Sequence, residues 1–483
     1  MRYNKNAMKH LQKAWNNFKA QPEMWFFYGF LLTSMLSVRK VIADYFIAGS
    51  FNEYSGAYIY LSDLFLVATL VVWIISILNN KNTRLSIYNW LIVSRGTFYA
   101  LGIFLVWVLL TVGWTGRPEI GYFKFFKLFE LGLLFLFLSL NEKCSSWNIL
   151  KNIFKMVIFI GFINALIGIF QFIFQHSIGL FWLKESLISP DFPGVAKIIL
   201  NGQKYVRVYG LFPHPNILGG FLLLSIILTL AYGKWNVPRL PRETKMFHGE
   251  LFSFLRGETF LWLIFGIQIV GLFLTFSKSA ILGLILAVGY IFYRNKTNVP
   301  RGTFKKALFL GLILLLLIYI INPNLNVFFF KSLNERLLFL EAAKNMILAH
   351  PLLGVGLGQF VPQMQSYLPV ELLDWQFQPA HNVFLLIWAE LGLVGLVIFC
   401  WFIYKLFRAH KNVPRGTIDS HKNLSGLFKA ILAGFLFIAL FDHYFWDIQQ
   451  GQIMFWIVLG ILNGVKLLTL QQRSLHFSNK KVS

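Results

Sequence analysis

The chain has 483 residues, 57% of them hydrophobic and only 13% charged, with a mean hydropathy of +0.62. A soluble domain carries about 25% charged residues, so this composition excludes one and places the chain among polytopic membrane proteins. The net charge of +24 first reflects the Lys and Arg that cytoplasmic loops collect, so no nucleic-acid partner is expected, and two cysteines, Cys144 and Cys400, support neither a disulfide framework nor a thiolate metal site.

Residues 1–23 form a basic tail in which Met8, Leu11, Trp15 and Phe18 recur at helical spacing among lysines. A helix lying on an anionic membrane surface and an ordinary positive-inside tail fit it equally well. Residues 24–483 read as a single transmembrane domain. Apolar runs predict twelve spans, at about 24–38, 57–78, 97–113, 120–140, 153–175, 214–232, 259–276, 279–293, 307–322, 382–404, 427–441 and 450–465. With the N-terminus in the cytoplasm, inside segments hold well over twice the Lys and Arg of outside segments. The expected fold is thus an all-α polytopic membrane protein with both termini cytoplasmic.

Two external loops, 176–213 and 323–381, are long enough to build a site. In the second, Ser332-Leu333-Asn334-Glu335 has capping-box spacing, and the residues after it predict an amphipathic helix ending before Pro351. Gly354-Val355-Gly356-Leu357-Gly358 lacks dinucleotide-loop spacing and reads as a flexible hinge after that helix. Asn-Val-Pro-Arg recurs at 236–239, 298–301 and 412–415 in cytoplasmic loops. It reads as copies of a palindromic DNA repeat inserted into the gene, or as a convergent turn, and carries no chemistry either way.

Charged groups near membrane depth are costly, so they are candidates by default. On the external side they are Arg207 and His214 before the sixth span, Lys278 between the seventh and eighth, Arg336 on the loop helix, and His381 before the tenth. Lys124, Lys127 and Glu130 share a face of the fourth span, and Asp442 and His443 follow the eleventh, where a solvated position is expected. Cations around imidazoles with few carboxylates suit a polyphosphate, since Arg offers a planar fork and Lys a compact charge. A neutral imidazole beside them could take a proton from an attacking hydroxyl. Asn382 is expected to cap the helix that His381 precedes. Glu390, about 12 Å further along, reads as a buried tie between spans. No Asp-x-Asp, Walker loop or His-Glu-x-x-His helix occurs.

Four stretches, together with the twelve spans, resemble the O-antigen ligase family and the related O-antigen polymerases. Arg207-Val208-Tyr209-Gly210 followed by His214-Pro215-Asn216 resembles its Arg-x-x-Gly…His-Pro-Asn motif. Thr275-Phe276-Ser277-Lys278-Ser279-Ala280 resembles its Thr-x-Ser-Arg-x-Ala turn. Asn334-Glu335-Arg336 through Pro351-Leu352-Leu353-Gly354-Val355-Gly356 resembles its loop helix and exit, and His381-Asn382…Gly392 its His-Asn…Gly motif. The resemblance implies transfer of a glycan from a polyprenyl (undecaprenyl) diphosphate carrier, on the outer face of the bacterial cytoplasmic membrane, with no nucleotide, cofactor or metal. Membrane lipids and a glycan, lipid or protein acceptor would be its partners. Arg207, with Lys278 and Arg336, would bind the diphosphate, and His381 would act on the acceptor. His214, Asn216 and Asn382 are secondary candidates. Lys278 stands where the family commonly has Arg, so charge survives there without the bidentate fork. Ligase, polymerase and protein O-oligosaccharyltransferase remain open, and a secondary transporter of an anionic solute is the reading from a different class.

Overall fold

The computed structural model describes residues 18–47, 49–93, 95–233, 258–294, 325–408 and 419–482, together with residues 12 and 16. The expected span at 307–322 and the three Asn-Val-Pro-Arg copies lie outside the described residues. In lipid every backbone polar group needs an internal partner, and the chain meets this with helices. They are α1 (Pro22–Thr33), α2 (Leu61–Asn79), α3 (Lys81–Val93), α4 (Arg95–Thr111), α5 (Pro118–Leu140), α6 (Glu142–Ser145), α7 (Trp147–Phe174) and α8 (Pro215–Gly233). These are followed by α9 (Glu258–Leu274), α10 (Lys278–Arg294), α11 (Leu325–Ala349), α12 (Phe360–Gln363), α13 (Val383–Arg408), α14 (Asp419–Ile438), α15 (Tyr444–Asp447) and α16 (Gln449–Val482).

Five described helices are long and apolar enough to cross a membrane: α2, α4 extended to Trp114, α7, α8 up to Tyr232, and α13. Stretches of α9 and α14 are shorter and apolar. The first expected span departs from its prediction. Its 12 residues rise about 18 Å, less than the bilayer core of about 30 Å, and the chain then turns into a strand. The linker read as a cytoplasmic loop after the second span is helical, as α3. Inside α11 the capping-box residues fall in mid-helix, because the helix begins at Leu325 rather than Ser332.

The described residues are mostly helical, in line with the all-α expectation, and the connections add three short two-stranded antiparallel sheets. β1 (Arg39–Ala43) pairs with β4 (Ala57–Tyr60), and β2 (Phe46–Ile47) with β3 (Ser50–Phe51). β5 (Lys197–Leu200) pairs with β6 (Gln203–Val206) across Asn201-Gly202. Both turn residues have positive φ, 50° and 81°, the backbone of a tight hairpin that favours Asn-Gly.

Helix packing brings distant segments together. α10 lies against α14, α16 against α5, α9 against α7 and α8, and α13 against α4. The core between them is rich in aromatic rings, with Phe135 meeting Phe402 on α13 and Trp456 on α16.

α13 breaks at Gly392, whose φ of 71° and ψ of 178° are not helical. The Gly354–Gly358 segment closes that break, so it is a buried splice and not the flexible hinge its glycines suggest. Val355 N–H donates to Ala389 O at 2.9 Å and Gly356 N–H to Glu390 O at 2.8 Å. In return Leu393 N–H donates to Pro351 O at 2.9 Å. Glycine is required at this crossing: Gly354 and Gly356 have positive φ, and a methyl on Gly354 would collide with the Glu390 carbonyl.

Candidate functional site

The β5–β6 hairpin positions the first candidate. Arg207 follows β6, and its N–H donates to Ala196 O at 3.0 Å, extending the ladder by one bond. The chain then runs over α7, where Gln171 Oε1 accepts from the N–H groups of Tyr209 and Gly210 at 3.1 and 2.9 Å. Asn164 Oδ1 accepts from Leu211 N–H at 2.8 Å. These buried amides hold residues 207–211 in one path, and Pro215 then opens α8, where its missing N–H costs nothing.

Arg207 is half-buried. Its Nε donates to Thr275 O at 2.6 Å and its Nη2 to Asn216 Oδ1 at 2.5 Å. Asn216 Nδ2 donates onward to Asp442 Oδ1 at 2.8 Å, and Ser279 Oγ donates to Asp442 Oδ2 at 2.7 Å. The carboxylate thus joins the tops of α8 and α10 to the turn after α14. Burial, and Arg336 nearby, lower the Arg207 pKa to about 10, so it remains a cation at neutral pH. Lys278 opens α10 with its side chain exposed. Arg336, on α11, is within electrostatic range of Arg207 and Lys278 and of His214, His381 and His443.

His381 sits one residue before the cap of α13. Its Nδ1 lies 3.2 Å from Pro379 O, which assigns the proton to Nδ1 and leaves Nε2 with its lone pair. The ring stacks on Phe339 of α11, with centroids 5.8 Å apart and planes at 10°. Burial first, then His443, Arg336 and His214, push its pKa well below 6.5, against the Pro379 carbonyl that raises it. His214 is depressed further, to about 3, by burial and by Arg207, His443 and Arg336. Its Nδ1 accepts from Asn216 N–H at 3.2 Å. Asn382 caps α13 as expected, its Oδ1 accepting from Phe384 and Leu385 N–H at 2.9 and 3.0 Å.

Asp442 and His443, expected to be solvated, are instead buried, at 3% and 7% exposure. His443 meets His381 edge to face with ring centroids 4.9 Å apart. Its Nδ1 lies 2.8 and 2.9 Å from the two carboxylate oxygens of Asp447. Burial opposes its charge, but Asp447 and Asp442 outweigh burial and raise its pKa. Asp447 and Ser279 are the residues missed by sequence reasoning, which reads His443 as solvated. The available signal was the i, i+4 spacing of His443 and Asp447, which suits a helical pair.

Two candidate groups take structural roles. Lys127 pairs with Asp63 and lies 3.7 Å from Glu130, while Gln449 Nε2 donates to Asp63 Oδ1 at 2.5 Å. This network ties α2, α5 and α16. Glu390 accepts from Trp446 Nε1 at 2.9 Å and from Phe360 N–H at 3.3 Å, and so ties α13 to α15 and α12. A cavity of about 30 Å³ beside it is lined by Lys124, Asp447 and Gln452 among others.

Apolar helices long enough to span a bilayer, gathered around a cluster of cations and imidazoles, define a multi-pass membrane protein with a site suited to an anionic ligand. Residues 263–400 match the family model described as O-antigen ligase. The matched segment holds Lys278, Arg336, His381 and Asn382, while Arg207, His214, Asn216, Asp442 and His443 lie outside it. Comparison with curated proteins finds no match.

Proposed function

We propose that this protein transfers a glycan from a polyprenyl diphosphate carrier to an acceptor hydroxyl, with inversion, at the outer face of the bacterial cytoplasmic membrane. The observation that carries this reading is the convergence of three cations with a neutral imidazole. Arg207, Lys278 and Arg336 share one electrostatic neighbourhood, and Asp442 is already engaged by Asn216 and Ser279. The cationic side is therefore suited to a diphosphate, and it would take up the charge that develops as the diphosphate leaves.

His381 Nε2 removes the acceptor proton while the acceptor oxygen attacks the anomeric carbon. The bond from that carbon to the phosphate oxygen breaks, and polyprenyl diphosphate departs with the electron pair. An acceptor that is itself a lipid-linked repeat would turn the same step into polymerisation. His381→Ala is expected to reach the membrane while lipid-linked donor accumulates, and Arg207→Ala to weaken donor binding. Full glycan transfer by His381→Ala would remove it from the mechanism.

A further inference from the structure

We propose that His443, held by Asp447, is a positioning residue that keeps His381 in its unprotonated form, so that the base stays ready in mildly acidic surroundings. The role of His381 as base is the reading above, and this inference rests on it.

The geometry is that of two facing rings with different anchors. His381 spends Nδ1 on a neutral carbonyl, Pro379 O at 3.2 Å, whereas His443 spends Nδ1 on a carboxylate, Asp447, at 2.8 Å. A carboxylate stabilises an imidazolium and a carbonyl does so less. Of two rings 4.9 Å apart, the one with the carboxylate takes the first proton, and its charge then opposes a proton on the other. Tyr54 also meets His443 edge to face, with ring centroids 5.6 Å apart, and His443 is buried.

Other charges around the pair act in known directions. His381 faces Arg336 from α11 and His214 from the start of α8, and both oppose its protonation. His443 faces Asp442 from its own turn, which favours its charge, and Arg336, which opposes it. Phe339, stacked on His381, is apolar and adds no charge. The carboxylates are therefore placed on His443, while Arg336 opposes a proton on both rings.

The test reads the protonation of His381 directly. Diethyl pyrocarbonate modifies only the neutral imidazole, and peptide mass spectrometry of the full-length protein in detergent locates the adduct. In the wild type, modification of His381 is expected to persist well below pH 6.5. In His443→Gln and in Asp447→Asn the loss of modification on acidification should begin at higher pH, towards the ordinary imidazole value. The acidic limb of glycan transfer should move the same way, and the double variant should move no further than either single one. Asp447→Asn keeps the shape of the side chain, so it serves where His443→Gln fails to accumulate. A His381 profile unchanged in Asp447→Asn would overturn the proposal. Retained transfer by His381→Ala would instead overturn the base assignment and leave the titration standing.

Discussion

Arg207 reaches Asp442 through a single side-chain amide. Asn216 accepts from Arg207 Nη2 at 2.5 Å and donates to Asp442 at 2.8 Å, so each face of the amide meets a charge of the sign it prefers. No other residue type of this size offers both an acceptor and a donor in that order. An aspartate would set a second carboxylate against Asp442, and an alanine would leave both charges short of a partner.

Asn216→Ala is accordingly expected to cost about 1–3 kcal/mol of stability, the usual penalty for a buried polar group left unpaired. It should also weaken donor binding, because Arg207 loses one of the two bonds that orient its guanidinium. Thermal unfolding in detergent and binding of a lipid-linked donor check the two effects separately. Wild-type values in both would show that the bridge contributes nothing.

The sequence announces some of this arrangement and conceals the rest. Arg207, His214 and His381 stand at the mouths of apolar runs, where a charge is conspicuous because it is costly. Asp442 and His443 stand at the end of such a run as well, but there a polar pair looks like ordinary solvated chain. What buries them is long-range: Tyr54 from a loop near the N-terminus, and Ser279 and Asn216 from two other helices. The β5–β6 hairpin was readable from Asn201-Gly202, a strong short-range signal, in a stretch read only as a loop. Gly354, Gly356 and Gly358 look like mobility in one dimension. In three dimensions they let a loop approach the broken backbone of α13, a contact no local pattern encodes.

That splice gives the second prediction. Gly354→Ala places a methyl group against the Glu390 carbonyl at a residue whose φ is 71°, so both sterics and backbone oppose it. The variant is expected to accumulate poorly in the membrane. Gly266→Ala in α9 is the control, since a methyl there meets nothing within 4 Å and alanine favours helix. Equal accumulation of the two variants would show that the splice tolerates displacement.

The third prediction concerns acid stability. His214 has an ordinary pKa near 6.5 when unfolded and about 3 when folded, so below pH 6.5 the unfolded chain binds the proton and the folded one does not. Linkage then makes stability fall as pH drops from 6.5 towards 3, and His381, shifted in the same direction, adds to the loss. His443 acts with the opposite sign, because its raised pKa contributes stability below 6.5 that disappears as pH rises through the folded value. Two depressed rings against one raised ring should leave a net loss on the acid side. The thermal midpoint in detergent is expected to decline between pH 6.5 and 5, above the range where most carboxylates titrate. His214→Gln cannot take the proton in either state, so its decline over that interval should be shallower. An identical slope in the variant would mean that His214 is not buried as a neutral ring.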